Sequence, residues 1–233
     1  MNKEQFINEV SKLNITFTNE MLDQLELYYQ ILVEENAKYN LTAITDKEAV
    51  YLKHFYDSLT LSKIIELNNQ SLCDIGTGAG FPGMVLKIAF PNLKVTLVDA
   101  TVKKCNFLKL VIEKLNLKDI EVINTRAEEY SKTIREKYDI VTSRAVAPLK
   151  HLLEYSIPLV KVNGIYIAMK SDITKELDRI DNYEKKLSID EQKILTFKLP
   201  VEESIRTLIS YHKKEKTNMI YPRRYNEIKK KEI

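Results

Sequence analysis

Apolar positions in the first seventy residues recur with a helical period. Thr18 is a suitable helix cap, and the residues after it place apolar side chains every three or four positions: Met21, Leu22, Leu25, Tyr28, Tyr29, Leu32 and Val33. Residues 40–44 break this period, and residues 46–67 are typical of one or two further helices. A helix with one apolar face buries that face against another element. We therefore predict that residues 1–70 form a helical cap packed on a larger domain.

After residue 70, short apolar runs alternate with amphipathic segments. This order is typical of a parallel β-sheet with helices on both faces, so we predict an α/β, Rossmann-like main domain over residues 71–215. Gly164 is expected to end the fourth helix of this domain. The predicted strands are 71–76, 94–99, 120–125, 138–143 and 164–169, and the predicted helices are 82–90, 102–115, 127–135 and 148–160.

The last quarter of the chain is less regular. Residues 173–187 are predicted to form a charged helix, and the apolar segments 194–199 and 206–212 to form the sixth and seventh strands. These two strands are expected to be antiparallel and to close the edge of a mostly parallel, seven-stranded sheet. Residues 216–233 are basic and weakly periodic, so we predict a mobile C-terminal tail.

Residues 71–83 hold four of the five glycines of the chain, at positions 76, 78, 80 and 83. The segment has the order strand, glycine loop, helix. Because glycine has no side chain, such a loop lets a ligand approach the main chain, and the following helix offers unpaired N–H groups. A phosphate-binding loop of nucleoside triphosphatases would require Lys and then Ser or Thr after Gly83. Met84 and Val85 stand there, which excludes that class.

Two acidic residues flank the glycine loop. Asp74 lies two residues before Gly76, and Asp99 ends the second predicted strand, where an acidic residue holds ribose hydroxyls. The segment 74–80 resembles the S-adenosylmethionine motif of class I methyltransferases. Asp99 is equally expected for a nicotinamide dinucleotide, whereas Asp74 favours a cationic ligand over a pyrophosphate. Helix capping is an alternative role for Asp74.

Composition adds few restrictions. The formal net charge of +3 and a pI near 8.6 permit a nucleic-acid partner without requiring one. Cys73 and Cys105 fall in a strand and a helix, a placement unlike a structural disulfide or a metal set, so we expect a reducing, cytoplasmic location. No apolar run approaches the length of a membrane span and the first residues lack the core of a signal peptide. We therefore expect no membrane partner.

Several segments together resemble one family, RsmG, also called GidB. They are Tyr39-Asn-Leu-Thr-Ala-Ile, His54-Phe-Tyr-Asp-Ser-Leu, residues 74–83, Leu97-Val-Asp with Lys103-Lys104, Arg126-Ala-Glu-Glu, Thr142-Ser-Arg-Ala-Val-Ala-Pro and Ala168-Met-Lys. The resemblance implies a bacterial enzyme that transfers the methyl group of S-adenosylmethionine to guanine N7 in 16S ribosomal RNA, free or in the small subunit. We separately expect a monomer.

The resemblance also implies roles for individual residues. Gly76 and Phe81 match the cofactor loop of the family, Ala127 and Glu128 its adenine-side contact, and Arg144 its arginine after the fourth strand. With Asp74, Gly78, Gly80 and Asp99, these residues form the expected cofactor site, and Arg144 is also the expected catalytic residue. Two departures concern the RNA side: Ser171 follows Lys170 where the family has glycine, and the tail lacks the Gly-x-Pro that often follows Tyr-Pro-Arg.

The reaction that the family implies suits a chain without an evident catalytic triad. Guanine N7 has a lone pair and no proton, so methylation there needs orientation more than a general base. Arg144 is expected to hold guanine O6 or a phosphate, or to line the cofactor pocket, with a structural ion pair as the alternative. His54 and Asp57 lie three residues apart on a predicted helix, but two residues are too few ligands for a metal site. We therefore expect a packed, hydrogen-bonded histidine. The basic residues near the C-terminus either contact RNA phosphates or are simply solvated. They are Lys213, Lys214, Lys216, Arg223, Arg224 and Lys229 to Lys231.

Three other functions stay open from the sequence. One is a cofactor-binding ribosome assembly factor without turnover, and another is a small-molecule methyltransferase of the same fold. A nicotinamide-dependent oxidoreductase is the third and fits the glycine loop least well.

Overall fold

The computed structural model describes residues 1–171, 173, 176–177 and 180–233, and for residues 191 and 192 the description covers the backbone alone. The N-terminal part is helical, as the periodicity predicts. Thr18 accepts a hydrogen bond from the Met21 N–H and caps the longest helix. The N-terminal elements are α1 (Lys3–Ser11), α2 (Asn19–Tyr39), α3 (Lys47–Val50), a π-helical turn (Tyr51–Tyr56), α4 (Asp57–Leu59) and a 3-10 turn (Thr60–Lys63).

Strands and helices then alternate through the main domain. All five predicted strands and all four predicted helices are present, with shifted ends. The elements are β1 (Ser71–Ile75), α5 (Gly83–Ala89), β2 (Lys94–Asp99), α6 (Val102–Lys114), β3 (Ile120–Asn124), α7 (Ala127–Thr133), β4 (Tyr138–Arg144), α8 (Leu149–Ser156), β5 (Val160–Lys170), α9 (Ile180–Leu187), β6 (Ile189–Lys198), β7 (Ile205–Lys213) and α10 (Tyr225–Lys230).

The strands form one sheet in the order β3-β2-β1-β4-β5-β7-β6. Strands β1 to β5 are mutually parallel, and β7 runs antiparallel to both β5 and β6. The α/β fold and the antiparallel last pair are therefore confirmed. Parallel strands bring their carboxyl ends to one edge, and the chain crosses from β1 to β2 on one side and reaches β4 on the other, so a crevice opens at that edge.

Two apolar clusters cover the two faces of the sheet. Alternate side chains of a strand point to opposite faces, and Leu72 accordingly belongs to one cluster while Cys73 belongs to the other. The first cluster includes residues of α1, α2, α5 and α6, and the second includes residues of α7, α8, α9 and the C-terminal segment. The N-terminal helices thus share the core of the main domain.

Gly164 does not end a helix, which corrects the prediction made from the sequence. It lies inside β5, where the pairing with β4 shifts register between Tyr138 and Ile140. A Cβ atom on Gly164 would stand 2.9 Å from the carbonyl oxygen of Asp139 and 3.0 Å from that of Lys161. The glycine is required because two backbones approach closely at this bulge. The preceding helix α8 ends at Ser156 and continues into a 3-10 turn, Ile157–Leu159.

The C-terminal segment also differs from the prediction of a mobile tail. Tyr221 and Ile228 are buried, and α10 forms from Tyr225 onward. The Arg135 guanidinium donates to the carbonyl oxygens of Tyr221 and Thr217 at 2.7 and 2.8 Å. Hydrophobic periodicity does not predict this packing, because isolated buried residues hold the segment and it has no repeating apolar face. Of the predicted helix 173–187, residues 180–187 are helical and several of its other residues lie outside the described ones.

In the part of the chain that the structure describes, no helix combines the length and the apolar character needed to cross a bilayer.

Candidate functional site

The glycine loop after β1 is fastened to the end of β2. The Gly76 N–H donates to the Val98 carbonyl oxygen at 2.8 Å, and the Gly78 N–H donates to Asp99 Oδ2 at 3.0 Å. Asp99 Oδ1 accepts from the Thr101 N–H at 2.8 Å. Each carboxylate oxygen offers two lone pairs, so Asp99 keeps one acceptor position on each oxygen.

Asp74 lies beneath this loop and is fully buried. Its Oδ2 accepts hydrogen bonds from the Thr77 hydroxyl at 2.6 Å and from the Gly83 N–H at 2.9 Å, so one oxygen joins the start of the loop to the start of α5. Its Oδ1 is buried without a hydrogen-bond partner. Burial raises the pKa of this carboxyl to about 6, against the lowering by its two hydrogen bonds. Asp74 therefore organises the loop through Oδ2, while Oδ1 can still accept a hydrogen bond.

A cleft of about 390 Å³ opens at the carboxyl ends of β1 to β4, and we call it the first cleft. Among the predicted site residues, it is lined by Gly76, Asp99, Ala127 and Glu128. The Glu128 side chain is nearly buried, with Oε1 at 3.8 Å from the Arg126 guanidinium. The other lining residues are Val98, Ala100, Thr101, Lys104, Thr125, Arg126, Ala145, Val146, Ala147, Tyr155 and Tyr225.

The remaining predicted loop residues do not line this cleft. A Cβ atom on Gly80 would stand 2.5 Å from the Tyr28 hydroxyl oxygen, and that hydroxyl donates to the Ala79 carbonyl oxygen. The Phe81 ring is buried and stacks on Tyr28, with 5.5 Å between ring centroids. Gly80 and Phe81 thus hold the loop against the N-terminal helices, as Asp74 holds it from below. Their assignment to the cofactor itself stays a prediction.

A second cleft of about 310 Å³ adjoins the first. Ala145, which follows β4 and has a φ of 53°, lines both clefts. Arg144 lines the second cleft only. The complete lining is Ile44, Lys53, His54, Asp57, Arg144, Ala145, Met169, Lys170, Ser171 and Arg206. Four of these residues are cationic, and each has an acidic partner: Lys53 pairs with Glu202, Lys170 pairs with Glu176, and Arg144 and Arg206 both pair with Asp57.

The Arg144 guanidinium is held from three directions. Its Nη1 donates to Asp57 Oδ2 at 3.0 Å and to the Lys53 carbonyl oxygen at 2.8 Å, and its Nη2 lies 3.2 Å from His54 Nδ1. The Phe81 ring lies beneath the guanidinium carbon at 5.2 Å. Arginine has no acceptor atoms, so the contact with Arg144 requires Nδ1 of His54 to accept. Nδ1 also lies 3.2 Å from the Lys53 carbonyl oxygen, to which it could only donate, so the two contacts require opposite tautomers.

His54 makes two further side-chain contacts. Nε2 lies 3.0 Å from the Thr42 hydroxyl, and the ring stacks on Phe81 at 4.4 Å between centroids. Burial, together with the positive charge of Arg144, lowers the pKa of His54 to about 3. The π-helical turn Tyr51–Tyr56 carries His54 and is followed at once by Asp57, which places both side chains toward Arg144. Such turns frequently occur at functional sites.

Asp57 joins two arginines. Besides Arg144, it accepts from Nε of Arg206 on β7 at 3.1 Å, and its side chain is 5% exposed. Asp57, to which the sequence analysis assigned no role, is therefore a carboxylate shared by two arginines of the second cleft. No group of three or more potential metal ligands comes together among the described residues.

Sequence reasoning missed several residues that line the clefts. Ala145 and Val146 stand inside the segment 142–148 that was recognised from the resemblance, so a signal for them existed. Arg206 lies on the seventh strand, more than sixty residues from Arg144, and no local pattern links the two. Tyr225 belongs to a segment without periodicity. The basic residue Lys213, expected to meet RNA, is fully buried and donates to the carbonyl oxygens of Ile157 and Val160.

Solved structures with the same fold support the class I methyltransferase architecture. A structure of an S-adenosylmethionine-dependent methyltransferase from Aquifex aeolicus matches with a TM-score of 0.54 and 15% identity, covering 72% of this chain and 93% of that one. M. jannaschii TYW2 in complex with AdoMet matches with a TM-score of 0.52 and 14% identity, covering 64% and 69% of the two chains. These identities are low, so the likeness concerns the fold.

Sequence comparisons are more specific. A ribosomal RNA small subunit methyltransferase G of Bacillus cereus is 47% identical over 230 residues, covering 96% of this chain and 95% of its own length. A protein of the same description from Bacillus thuringiensis gives the same identity and coverage. The family model described as rRNA small subunit methyltransferase G matches residues 21–208, which include both clefts except Tyr225. On this agreement over most of its length, the chain belongs to the GidB family of S-adenosylmethionine-dependent methyltransferases.

Proposed function

We propose that this protein transfers the methyl group of S-adenosylmethionine to N7 of a guanine in 16S ribosomal RNA. The observation that carries the proposal is the junction of the two clefts at Ala145. A cofactor in the first cleft and a base in the second would meet beside Arg144. The printed descriptions of the relatives name the small-subunit RNA, and the N7 position follows from the family resemblance.

The residues of the first cleft fit the cofactor chemically. The spare acceptor positions of Asp99 suit the two ribose hydroxyls, and the Glu128 carboxylate suits the adenine amino group beside Ala127. Gly76 brings main chain to the cleft without a side chain. Asp74 does not line the cleft, but its buried carboxylate lies beneath the loop and is complementary to the positive charge of the cofactor. In this proposal Gly78, Gly80 and Phe81 support the loop, and their contribution to binding is indirect.

The second cleft suits a reaction that needs no general base. S-adenosylmethionine supplies a methyl group on a positively charged sulfur, and guanine N7 presents a lone pair without a proton. His54 has both ring nitrogens engaged, and Asp57 is bonded to Arg144 and Arg206. Neither is available to take a proton, so these residues are expected to position the base.

Arg144 is proposed to contact the acceptor. Arginine commonly binds guanine through O6 and N7 together, but N7 must be free to react. We therefore assign Arg144 to O6 or to a neighbouring phosphate, while Asp57, His54 and Phe81 fix the plane of its guanidinium. The cations Lys53, Lys170 and Arg206 at the same cleft favour the approach of an RNA chain.

We further propose that the enzyme acts as a cytoplasmic monomer on free 16S RNA or on the small subunit, without a membrane partner. Light scattering at micromolar concentration tests the monomeric state. The division into a cap (1–70), a methyltransferase domain (71–215) and a C-terminal segment (216–233) likewise stays a proposal, which limited proteolysis would test.

The decisive experiment uses 16S RNA and small subunits from cells that lack this protein. Each substrate is incubated with the purified enzyme and methyl-labelled cofactor, and the product is mapped by cleavage at N7-methylguanine. The proposal expects a single guanine to become labelled and cleavable. Label at a different atom or no label on either substrate would contradict it, and label on a small molecule alone would favour the other methyltransferase class.

A further inference from the structure

Tyr225 lies at the junction of the C-terminal segment and the first cleft. It is the first residue of α10, and among the described residues after position 215 it is the only one that lines this cleft. Its side chain is half-buried, while the neighbouring Asn226 is exposed. A residue of the segment expected to be mobile thus forms part of the wall of the cofactor cleft.

Anchors on both sides hold Tyr225 in place. Before it, the Arg223 guanidinium and backbone N–H make three hydrogen bonds of 2.8 to 2.9 Å to Glu154, a carboxylate of α8 that is fully buried. After it, Ile228 packs into the second apolar cluster. A buried pair with several hydrogen bonds fixes a side chain far better than a surface ion pair does. The ring of Tyr225 is therefore presented to the cleft by an anchored backbone.

The ring is also coupled to the predicted adenine-side residues. The Arg126 guanidinium carbon lies 5.3 Å from the centre of the Tyr225 ring, and the same guanidinium lies 3.8 Å from Glu128 Oε1. Lys229 Nζ lies 4.6 Å from the ring centre. Cations over an aromatic face stabilise its position. Tyr225 consequently lies beside the segment Arg126-Ala127-Glu128, and it does not line the second cleft.

We propose that Tyr225 contacts the adenine ring of the bound cofactor and is a positioning residue for binding. Aromatic side chains contribute to the binding of planar bases through stacking or edge contacts. The inference rests on the proposed use of the first cleft for S-adenosylmethionine, and it adds that the C-terminal segment completes this site. Tyr225 follows the Tyr-Pro-Arg segment where the chain departs from the family pattern.

Equilibrium binding tests the proposal without any RNA. Calorimetry with S-adenosylhomocysteine and with methylthioadenosine is expected to show about tenfold weaker binding of both to Tyr225→Ala, and near-normal binding to Tyr225→Phe. Asn226→Ala, one residue away and outside the cleft, is the matched control and should bind normally. In turnover, Tyr225→Ala should raise KM for the cofactor and retain kcat at saturation, since the second cleft is untouched.

A second variant keeps the inference testable if Tyr225→Ala does not fold. The chain has no tryptophan, so Tyr225→Trp places the only tryptophan of the variant at the cleft, and its emission can be excited selectively over that of the tyrosines. Tyr39→Trp on the exposed end of α2 is the control. Saturable change of emission by S-adenosylhomocysteine is expected for Tyr225→Trp only. Unchanged emission at saturation, or unchanged affinity of a folded Tyr225→Ala, would overturn the inference. Failure of the unmodified protein to bind either compound would instead overturn the proposed function.

Discussion

The Asp57 carboxylate and the Arg144 guanidinium form an ion pair of 3.0 Å in which the aspartate side chain is 5% exposed and the arginine side chain 15% exposed. The pair links the end of the π-helical turn in the N-terminal part to the carboxyl end of β4. It therefore fixes one wall of the second cleft to the sheet. Removing one charge of this pair leaves the other charge buried and unpaired, because water cannot take the place of the lost partner.

Asp57→Asn keeps the shape of this residue and removes its charge. We expect the free energy of unfolding to fall by about 2–3 kcal/mol, since two hydrogen bonds to charged groups are weakened, and methylation to fall at least tenfold. Affinity for S-adenosylmethionine should be unchanged because Asp57 does not line the first cleft. Glu202→Gln, which changes an exposed carboxylate near the same cleft, is the control and should stay within about 0.5 kcal/mol. Urea unfolding and calorimetry measure both quantities.

Arg144→Ala tests the assignment of Arg144 to the acceptor. Methylation of the natural RNA at limiting substrate is expected to fall by two or more powers of ten, with little change in cofactor affinity. Arg144→Lys should recover little, because an ammonium group cannot reproduce the planar contacts to Asp57, His54 and the Lys53 carbonyl. Unchanged methylation by Arg144→Ala would show that Arg144 takes no part in the reaction and has a structural role only.

Asp99→Ala is expected to weaken cofactor binding by one to two powers of ten. Hydrogen bonds to a charged acceptor contribute about 1.5–3 kcal/mol, and each factor of ten corresponds to about 1.4 kcal/mol. Asp23→Ala on the exposed side of α2 is the control and should bind normally. Calorimetry that gives equal affinities for all three proteins would contradict the ribose assignment.

The sequence predicts the sheet because its strands and helices follow local hydrophobic patterns. The same periodicity locates Gly76 and Asp99 at strand ends, whereas Ala127 and Glu128 were identified through the family resemblance. The second cleft depends on contacts that no local pattern encodes: Asp57 meets Arg206 across 149 residues. Gly164 was misassigned because helix ends and strand bulges favour the same residue, and only the proximity of Asp139 and Lys161 distinguishes the two roles.

Asp74 and His54 give opposite pH dependences of stability. The pKa of Asp74 is raised from 3.8 to about 6 in the folded state, so the unfolded state loses this proton first as the pH rises. The contribution of Asp74 to the free energy of unfolding is complete below pH 4 and is lost toward pH 6. The decrease is on the order of 3 kcal/mol. The pKa of His54 is lowered to about 3, so its contribution is complete above pH 6.5 and is lost as the pH falls.

Asp74→Asn separates these two effects, since His54 is common to both proteins. The free energy of unfolding of the unmodified protein minus that of Asp74→Asn should decrease as the pH rises from 4 to 6.5. Urea unfolding at half-unit pH intervals measures this difference. Parallel profiles for the two proteins would show that Asp74 titrates normally when the protein is folded.

Gly78 and Gly80 provide a matched pair for the last prediction. Both have positive φ, 62° and 99°, but a Cβ atom on Gly78 would meet nothing closer than the Gly76 carbonyl oxygen at 3.9 Å, whereas one on Gly80 would stand 2.5 Å from the Tyr28 hydroxyl. Backbone strain alone should cost Gly78→Ala about 1–2 kcal/mol of unfolding free energy. Gly80→Ala adds overpacking and should cost about 2–5 kcal/mol.

The contribution of the hydroxyl can be isolated by combining Gly80→Ala with Tyr28→Phe. Removing the hydroxyl removes the atom nearest to the new Cβ, so the double variant should lose less stability than the sum of the single variants, and the difference is the coupling energy. Tyr28→Phe combined with Gly78→Ala should be additive, because Gly78 does not contact Tyr28. Additivity in both combinations would mean that the loop moves away from α2, and that Tyr28 does not fix the position of the glycine loop.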